Sequence, residues 1–116
     1  MQLAQYTEKN LFRPERVAEA LRTTKHEIAA TLGLGRDAFS RAERIRAPKT
    51  QTRLREMLEI LNRVERATGS ELAAYAWFRS EPLPGFGGMT PDGLVREGHA
   101  DWVHAYLDRV AAGGFA

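Results

Sequence analysis

Side chains suited to contacting a polyanion are concentrated between residues 25 and 49 of this 116-residue chain. An arginine guanidinium can pair with guanine through two hydrogen bonds, a serine hydroxyl can bond several bases, and an aspartate can accept from cytosine. Lysine and arginine also neutralise phosphates. The residues concerned are Lys25, Arg36, Asp37, Ser40, Arg41, Arg44, Arg46 and Lys49. Arg36, Asp37, Ser40, Arg41 and Arg44 are expected on one helix, with Lys25 on the helix before it and Arg46 and Lys49 after it. Together they predict a DNA-binding surface; the alternative is a basic face that is simply solvated.

Two short helices joined by a tight turn, over residues 24–45, are predicted to position these side chains. Thr24 can cap the first helix, and Glu27 follows at capping-box spacing. Gly33 lies where the first helix must end, at a position that favours a residue without a Cβ. The second helix is predicted over residues 36–45. Its buried residues are expected to be Phe39, Ala42 and Ile45. The pattern is typical of a helix-turn-helix, whose second helix enters the major groove.

Weaker patterns flank this motif. Residues 1–13 are interpreted as an arm or short helix that packs against another element or contacts a partner. Pro48 is expected to end the second helix of the motif, because proline disfavours helix at the residue before it. A long amphipathic helix follows, with Thr50 or Thr52 as its cap and an end near Thr68.

The C-terminal part of the chain predicts three further helices. Ser70 caps the first, and a loop rich in proline and glycine follows at residues 82–88. Thr90 and Pro91 begin a short helix. The last helix is predicted over residues 99–112, with an apolar face made of Trp102, Val103, Tyr106, Leu107 and Val110. No segment alternates with the period of a strand, so the fold class is predicted to be all-α.

Charge divides the chain into two parts. Residues 1–70 carry 14 Lys and Arg against 9 Asp and Glu, whereas residues 71–116 carry 3 against 6. A basic part joined to an acidic part indicates two surfaces with different partners. The expected organisation is a helix-turn-helix bundle with an N-terminal arm at residues 1–68, followed by a small helical module at residues 69–116.

Several classes of function are not favoured by the sequence. The chain has no cysteine, so it can form neither a disulfide nor a thiolate metal site. Its histidines, His26, His99 and His104, lack the spacing of metal ligands. The glycines at 85–88 lack the ending of a phosphate-binding loop. We therefore expect no enzyme activity, no cofactor and no metal.

The sequence has no apolar run long enough for a bilayer and no secretory signal. The expected compartment is therefore the cytoplasm.

Aromatic residues accumulate in the C-terminal module. Seven of the ten lie after residue 70, and fewer than 50 residues cannot easily bury them all. Trp77 and Trp102 are expected to form part of a small core. Phe115, which follows two glycines, fits equally well as an anchor for a partner's pocket and as a residue folded back on its own helix.

The order of features in this module resembles the toxin-binding domain of the Xre/MbcA/ParS antitoxin family. The matching features are Ala76-Trp77-Phe78, Pro82, Gly87-Gly88, Thr90-Pro91, Leu94-Val95, Gly98 and a last helix with Val103, Leu107 and Val110. An Xre-like helix-turn-helix ahead of this domain is the usual order in the family, so the resemblance covers about residues 16–116. The chain departs from it in having two glycines near its C-terminus and a longer loop at Gly85-Phe86.

The resemblance implies an antitoxin of a type II toxin-antitoxin system. Such proteins neutralise a toxin, commonly of the RES-domain class that consumes NAD, and often repress their own operon as dimers. In similar antitoxins the C-terminal segment reaches into or over the toxin's active site. Carried onto this chain, the toxin-binding positions are Trp102, Tyr106, Arg109, Gly113, Gly114, Phe115 and Ala116. The expected partners are a RES-domain toxin, operator DNA and a second copy of the chain, without a membrane.

Two other interpretations remain open at this stage. The chain could be a stand-alone Xre-like transcriptional regulator whose C-terminal module only dimerises or senses a signal. Alternatively, it could neutralise a toxin while its helix-turn-helix no longer contacts DNA.

Overall fold

A computed structural model describes residues 2–113 of the chain. Nearly all of its regular structure is helical, and the prediction of an all-α fold is confirmed. Two very short strands precede seven helices in the described part of the chain. They are β1 (Thr7–Glu8), β2 (Leu11–Phe12), α1 (Pro14–Ala20), α2 (Lys25–Thr31), α3 (Ala42–Ile45), α4 (Pro48–Thr68), α5 (Glu71–Ser80), α6 (Pro91–Arg96) and α7 (Ala100–Ala111).

The long helix α4 lies at the centre of the fold. Its apolar residues recur at spacings of three and four, as expected for a helix with a buried face. Five of its side chains are completely inaccessible to solvent: Leu54, Met57, Leu58, Ile60 and Leu61. Helices α3, α5, α6 and α7 and strand β2 all contact α4. Helix α4 therefore connects the predicted DNA-binding part to the C-terminal module.

The N-terminal segment contains a β-hairpin that the sequence did not predict. A single 3-10 turn, Leu3–Tyr6, leads into strands β1 and β2, which pair Thr7 with Phe12. Lys9 and Asn10 form the two-residue connection with φ angles of 54° and 67°. Positive φ at both positions defines the hairpin turn whose twist matches that of the flanking strands. Strands of two residues are too short to show an alternating pattern, so the alternative of a short helix was wrong for residues 7–12. The predicted packing of this segment against another element is confirmed, because β2 contacts α4 and Tyr6 is buried.

Helix α4 begins earlier than the sequence indicated. Its N-cap is Ala47, Pro48 occupies the first turn, and no side chain caps the helix. Neither Thr50 nor Thr52 is the cap. A proline is well accommodated here because the first N–H groups of a helix have no partner within the helix. Pro48 therefore separates α3 from α4 and at the same time begins α4.

Three other helix starts agree with their predicted caps. The hydroxyl groups of Thr24, Ser70 and Thr90 accept hydrogen bonds from the backbone N–H three residues later, at 3.0, 3.0 and 3.4 Å. Helix α2 then ends as predicted at Gly33, which has a φ of +67°. The N–H of Leu34 reaches back to the carbonyl of Ala29 at 2.9 Å, the bond that closes a helix C-terminus of this kind.

The boundary predicted between residues 68 and 69 coincides with the end of α4. Gly69 has a φ of +102° and separates α4 from α5. However, the buried side chains of both parts form one hydrophobic cluster within residues 2–113, from Tyr6 to Val103. The division into a DNA-binding and a toxin-binding domain stays a prediction.

Replacing Gly33 with alanine should destabilise the fold, for two reasons. A left-handed backbone costs an L-residue about 1–2 kcal/mol, and a Cβ at Gly33 would approach the Cγ and Cδ atoms of Arg96 to 3.0 Å. Gly35 is the matched control, because it lacks a positive φ and a Cβ there would have no neighbour within 4 Å. Urea unfolding should show a loss of roughly 1–3 kcal/mol for Gly33→Ala and no more than about 0.5 kcal/mol for Gly35→Ala. Equal losses would contradict this assignment.

Candidate nucleic-acid and partner-binding surfaces

The predicted second helix of the helix-turn-helix is mostly irregular. Residues 36–39 form turns, Arg41 is extended with φ −141° and ψ 154°, and only Ala42–Ile45 is helical. The hydroxyl of Ser40 donates to the carbonyl of Asp37 at 2.8 Å, and the N–H of Ser40 donates to the same oxygen. Such local bonds compete with the hydrogen bonds of a helix. The prediction of one continuous helix over 36–45 was therefore wrong.

Burial in this segment follows the prediction only in part. Phe39 and Ile45 are 7% exposed and belong to the core. Ala42 is exposed, so its predicted burial was wrong. The break at Arg41 places Ala42 at the first position of a new, four-residue helix, out of register with Phe39.

The eight residues predicted to contact DNA are all exposed, and the fold brings most of them together. Arg36, Asp37, Arg44 and Lys49 line one shallow cleft between the turns and the start of α4. Lys25, His26, Arg36 and Ser40 line a second cleft beside α2. Arg36 is common to both clefts. Arg41 and Arg46 line neither.

The positive charges of this region are largely free of intramolecular partners. Arg41 lies 4.0 Å from Glu43, a separation at which an exposed ion pair contributes little. Within residues 2–113, no carboxylate lies within 4 Å of the charged groups of Lys25, Arg36, Arg44, Arg46 or Lys49. We call Lys25, Arg36, Arg41, Arg44, Arg46 and Lys49 the basic surface. Most of these cations are available to phosphates without first breaking an ion pair.

Three of the predicted partner-binding residues, Trp102, Tyr106 and Arg109, follow one another along α7 at spacings of four and three. Trp102 and Arg109 are exposed, whereas Tyr106 is half-buried and packs against the core. We call these three residues, together with Gly113 after the end of the helix, the α7 stripe. The guanidinium of Arg109 lies 6.0 Å from the centre of the Tyr106 ring, within the range of a cation–π contact. Gly113 follows the helix with a φ of +94°. Gly114, Phe115 and Ala116 lie outside the described residues.

Trp102 is not a core residue, contrary to its prediction. Its side chain is 43% exposed, whereas the adjacent Val103 is completely buried. The two neighbours point to different faces of α7, and only the face of Val103 packs on the fold. The imidazole of His99 stacks on the Trp102 ring with centroids 3.6 Å apart, and Phe86 lies 6.1 Å away. Trp77 is half-buried and packs against the core.

A polar bridge between α2 and the C-terminal module was not found from the sequence. Arg96 donates through Nη1 to Asp92 at 2.8 Å and to the carbonyl of Thr31 at 3.0 Å. The Thr31 hydroxyl lies 3.2 Å from the hydroxyl of Tyr75 on α5. Burial raises the pKa of the Tyr75 phenol, so this group remains protonated across neutral pH. The i, i+4 spacing of Asp92 and Arg96 predicts their ion pair, but no local pattern connects Arg96 to Thr31.

Asp92 is the buried acid of this bridge. Its side chain is 10% exposed, against 40% for Arg96. The hydroxyl of Thr90 and the N–H of Gly93 also donate to Asp92. Three hydrogen-bond donors offset the cost of burying this carboxylate, and Asp92 therefore fits a structural role.

Among the described residues, no cluster of acidic and histidine side chains could hold a metal ion, and no helix is long and apolar enough to cross a membrane.

Comparison with known proteins gives one match. Residues 63–113 match the model of a family described as the antitoxin Xre/MbcA/ParS C-terminal toxin-binding domain. The matched segment begins within α4 and includes α5, α6 and α7, and it is just under half of the chain. The match supports a place among antitoxins and a toxin as protein partner, and this family is not a class of enzymes. Searches of curated proteins and of solved structures found no match.

Arg96→Met should reduce stability more than Arg63→Met, because the acid that Arg96 pairs with is buried. Arg96→Met leaves the buried Asp92 without its cation and the Thr31 carbonyl without a donor, for an expected loss of about 1–3 kcal/mol. Arg63→Met is the control, because Arg63 likewise donates to a backbone carbonyl, that of His104, and to a carboxylate, but its acid Asp108 is 70% accessible. Its loss should stay below about 1 kcal/mol. Urea unfolding measures both; an Arg63→Met loss equal to or above that of Arg96→Met would refute the structural role of the bridge.

Proposed function

We propose that this protein is an antitoxin that binds a RES-domain toxin through α7 and the residues after it, and so occludes the toxin's active site. The observation that carries the proposal is the family match over residues 63–113, the segment that contains the α7 stripe. In this proposal the chain catalyses no reaction and needs no cofactor. It acts by binding, in the cytoplasm where the toxin would otherwise consume NAD.

Exposure of Trp102 supports α7 as the docking surface. Within the described residues, only Leu72 and Trp102 are large hydrophobic side chains with more than a third of their surface exposed. Tryptophan and tyrosine are enriched among the residues that dominate binding energy, because they bury a large apolar area and carry a polar group at one end. Stacking on His99 also restricts the ring before binding. A fixed aromatic anchor loses less entropy when a partner covers it.

Arginine and tyrosine continue the same surface toward the C-terminus. Arg109 and Tyr106 lie beyond Trp102 on the α7 stripe, at the centre of the surface that a toxin would cover. We propose that residues 113–116 extend the stripe into the toxin's active site.

We further propose that the basic surface binds operator DNA and represses the antitoxin's own operon. Support comes from the free cations along the two clefts that meet at Arg36. Because α3 has only four residues, the side chains closest to a major groove are Arg41 at its N-cap and Arg44 within it. The contact area of one such module is small, so we propose that two copies bind two half-sites as a homodimer.

The irregular segment at residues 36–41 specifically favours an alternative. A recognition element without a continuous helix has fewer side chains aligned along a groove. The chain would then neutralise a toxin without regulating transcription. This alternative predicts no salt-dependent binding to operator DNA, whereas neutralisation would be unaffected.

The role of Trp102 can be measured with the purified chain and a RES-domain toxin encoded in the neighbouring reading frame. Trp102→Ala should weaken the complex by about 2 kcal/mol or more, equivalent to roughly 30-fold in Kd. Leu72→Ala is the matched control, since Leu72 is 38% exposed but lies on α5. Calorimetry should show its Kd within about threefold of the unsubstituted chain. If Leu72→Ala weakens the complex and Trp102→Ala does not, the docking surface is misassigned.

DNA binding predicts different effects for two cations of the basic surface. Fluorescence anisotropy with a labelled duplex from the DNA upstream of the chain's own reading frame measures Kd at several salt concentrations. Log K should fall linearly with log salt, at about −0.9 per phosphate contacted. Arg41→Ala should reduce the preference for this duplex over a scrambled one. Lys49→Ala should weaken both duplexes equally. Salt-independent binding, or none at low salt, would favour the neutraliser that does not contact DNA.

A further inference from the structure

The β-hairpin at residues 7–12, which we call the N-terminal hairpin, is linked to the end of α3 by one buried side chain. Gln51, in the first turns of α4, is only 8% exposed. Its Oε1 accepts from the N–H of Phe12 at 2.8 Å, and its Nε2 donates to the carbonyl of Phe12 at 3.0 Å. The same nitrogen donates to the carbonyl of Ile45 at 2.9 Å. One amide therefore connects β2 to the last residue of α3.

These hydrogen bonds place the hairpin beside the C-terminal end of α3. The carbonyl oxygens of Phe12 and Ile45 both accept from Gln51 Nε2. These two oxygens therefore lie within about 6 Å of each other. Arg46 directly follows Ile45, and Lys49 belongs to the first turn of α4. Strand β2 also packs against α4. The N-terminal hairpin therefore lies at the same end of α4 as the basic surface.

The tip of the hairpin presents a lysine to solvent. Lys9 and Asn10 are exposed and form the tight connection between the strands. The Cα atom of Lys9 is within roughly 11 Å of that of Phe12, since three peptide units separate them. Arg13 and Arg16 pair with Glu15 and Glu8 at 3.1 and 3.4 Å. By contrast, no carboxylate lies within 4 Å of the Lys9 ammonium in the part of the chain that is described.

We propose that the N-terminal hairpin is a second DNA-contacting element, in which Lys9 binds a phosphate of the duplex held by the basic surface. The inference rests on the proposed DNA binding and adds a contact outside the helix-turn-helix. DNA is the occupant because the tip is polar and cationic, lacks an apolar side chain, and belongs to a hairpin at the same end of α4 as Arg46 and Lys49. Gln51 fixes the hairpin against α3. Little conformational entropy is therefore lost when the tip contacts the phosphate backbone of DNA.

The alternative role of the hairpin is purely structural. Tyr6, Gln51 and the backbone of Phe12 are buried or half-buried, and they hold the N-terminal segment on the core. A structural role needs the strands and their hydrogen bonds but not the charge at the tip. A variant that removes the charge and keeps the turn therefore distinguishes the two roles.

The test measures the salt dependence of Kd for the full chain by fluorescence anisotropy, with the labelled upstream duplex. Lys9→Gln should make the slope shallower by roughly 0.9, the value for one phosphate contact. Lys9→Arg should restore it. Arg66→Gln is the control, because Arg66 is an exposed cation near the opposite end of α4. Its slope should equal that of the unsubstituted chain. Thermal unfolding should give all three variants the same midpoint as the unsubstituted chain.

The outcomes separate this inference from the proposed function. If Lys49→Ala reduces the slope and Lys9→Gln does not, the basic surface binds DNA and the hairpin does not, which overturns the inference alone. If the unsubstituted chain shows no salt-dependent binding, both are overturned. If Lys9→Gln and Arg66→Gln reduce the slope equally, the effect reflects overall charge and the inference fails.

Discussion

Burial of α4 is the constraint on which the rest of the structure depends. Its apolar side chains pack against α3, the N-terminal hairpin and the C-terminal helices α5, α6 and α7. Because these elements share one hydrophobic cluster, none can lose its packing on α4 without exposing part of the others. The buried residues of the two predicted domains therefore belong to one hydrophobic cluster.

The same helix separates the two proposed binding surfaces. Gln51 holds α3 and the hairpin near the N-terminal end of α4, whereas Arg63 contacts Asp108 of α7 at 2.8 Å, further along the helix. At 1.5 Å per residue these two contacts are about 18 Å apart. A DNA duplex at one end and a toxin on α7 could thus be bound by the same chain. The bridge of Arg96 and Thr31 adds a direct link between α2 and α6.

Local rules predicted the elements that depend on local chemistry. The caps at Thr24, Ser70 and Thr90 and the helix end at Gly33 follow from side chains or backbone angles within a few residues. The all-α fold class followed from the helical spacing of apolar residues along the chain. The resemblance of the C-terminal module was found from the order of short features along the chain, and the family match supports it.

The sequence failed once at a local hydrogen bond and twice where longer-range packing decides the structure. The hydroxyl of Ser40 donates to the carbonyl of Asp37 and residues 36–39 form turns, although the apolar spacing of residues 36–45 fits a helix. The hairpin depends on Gln51, which is 39 residues from Phe12. Exposure of Trp102 depends on which face of α7 packs against the fold, and its neighbour Val103 takes the buried position.

We propose that α7 and the residues after it bind a toxin. Hydrogen exchange with mass spectrometry can test this on the chain alone and mixed with the RES-domain protein of the neighbouring reading frame. We expect slower exchange in the complex for peptides that cover residues 99–113, and unchanged exchange for those that cover residues 25–49. Failure to form a complex, or protection confined to residues 25–49, would contradict it.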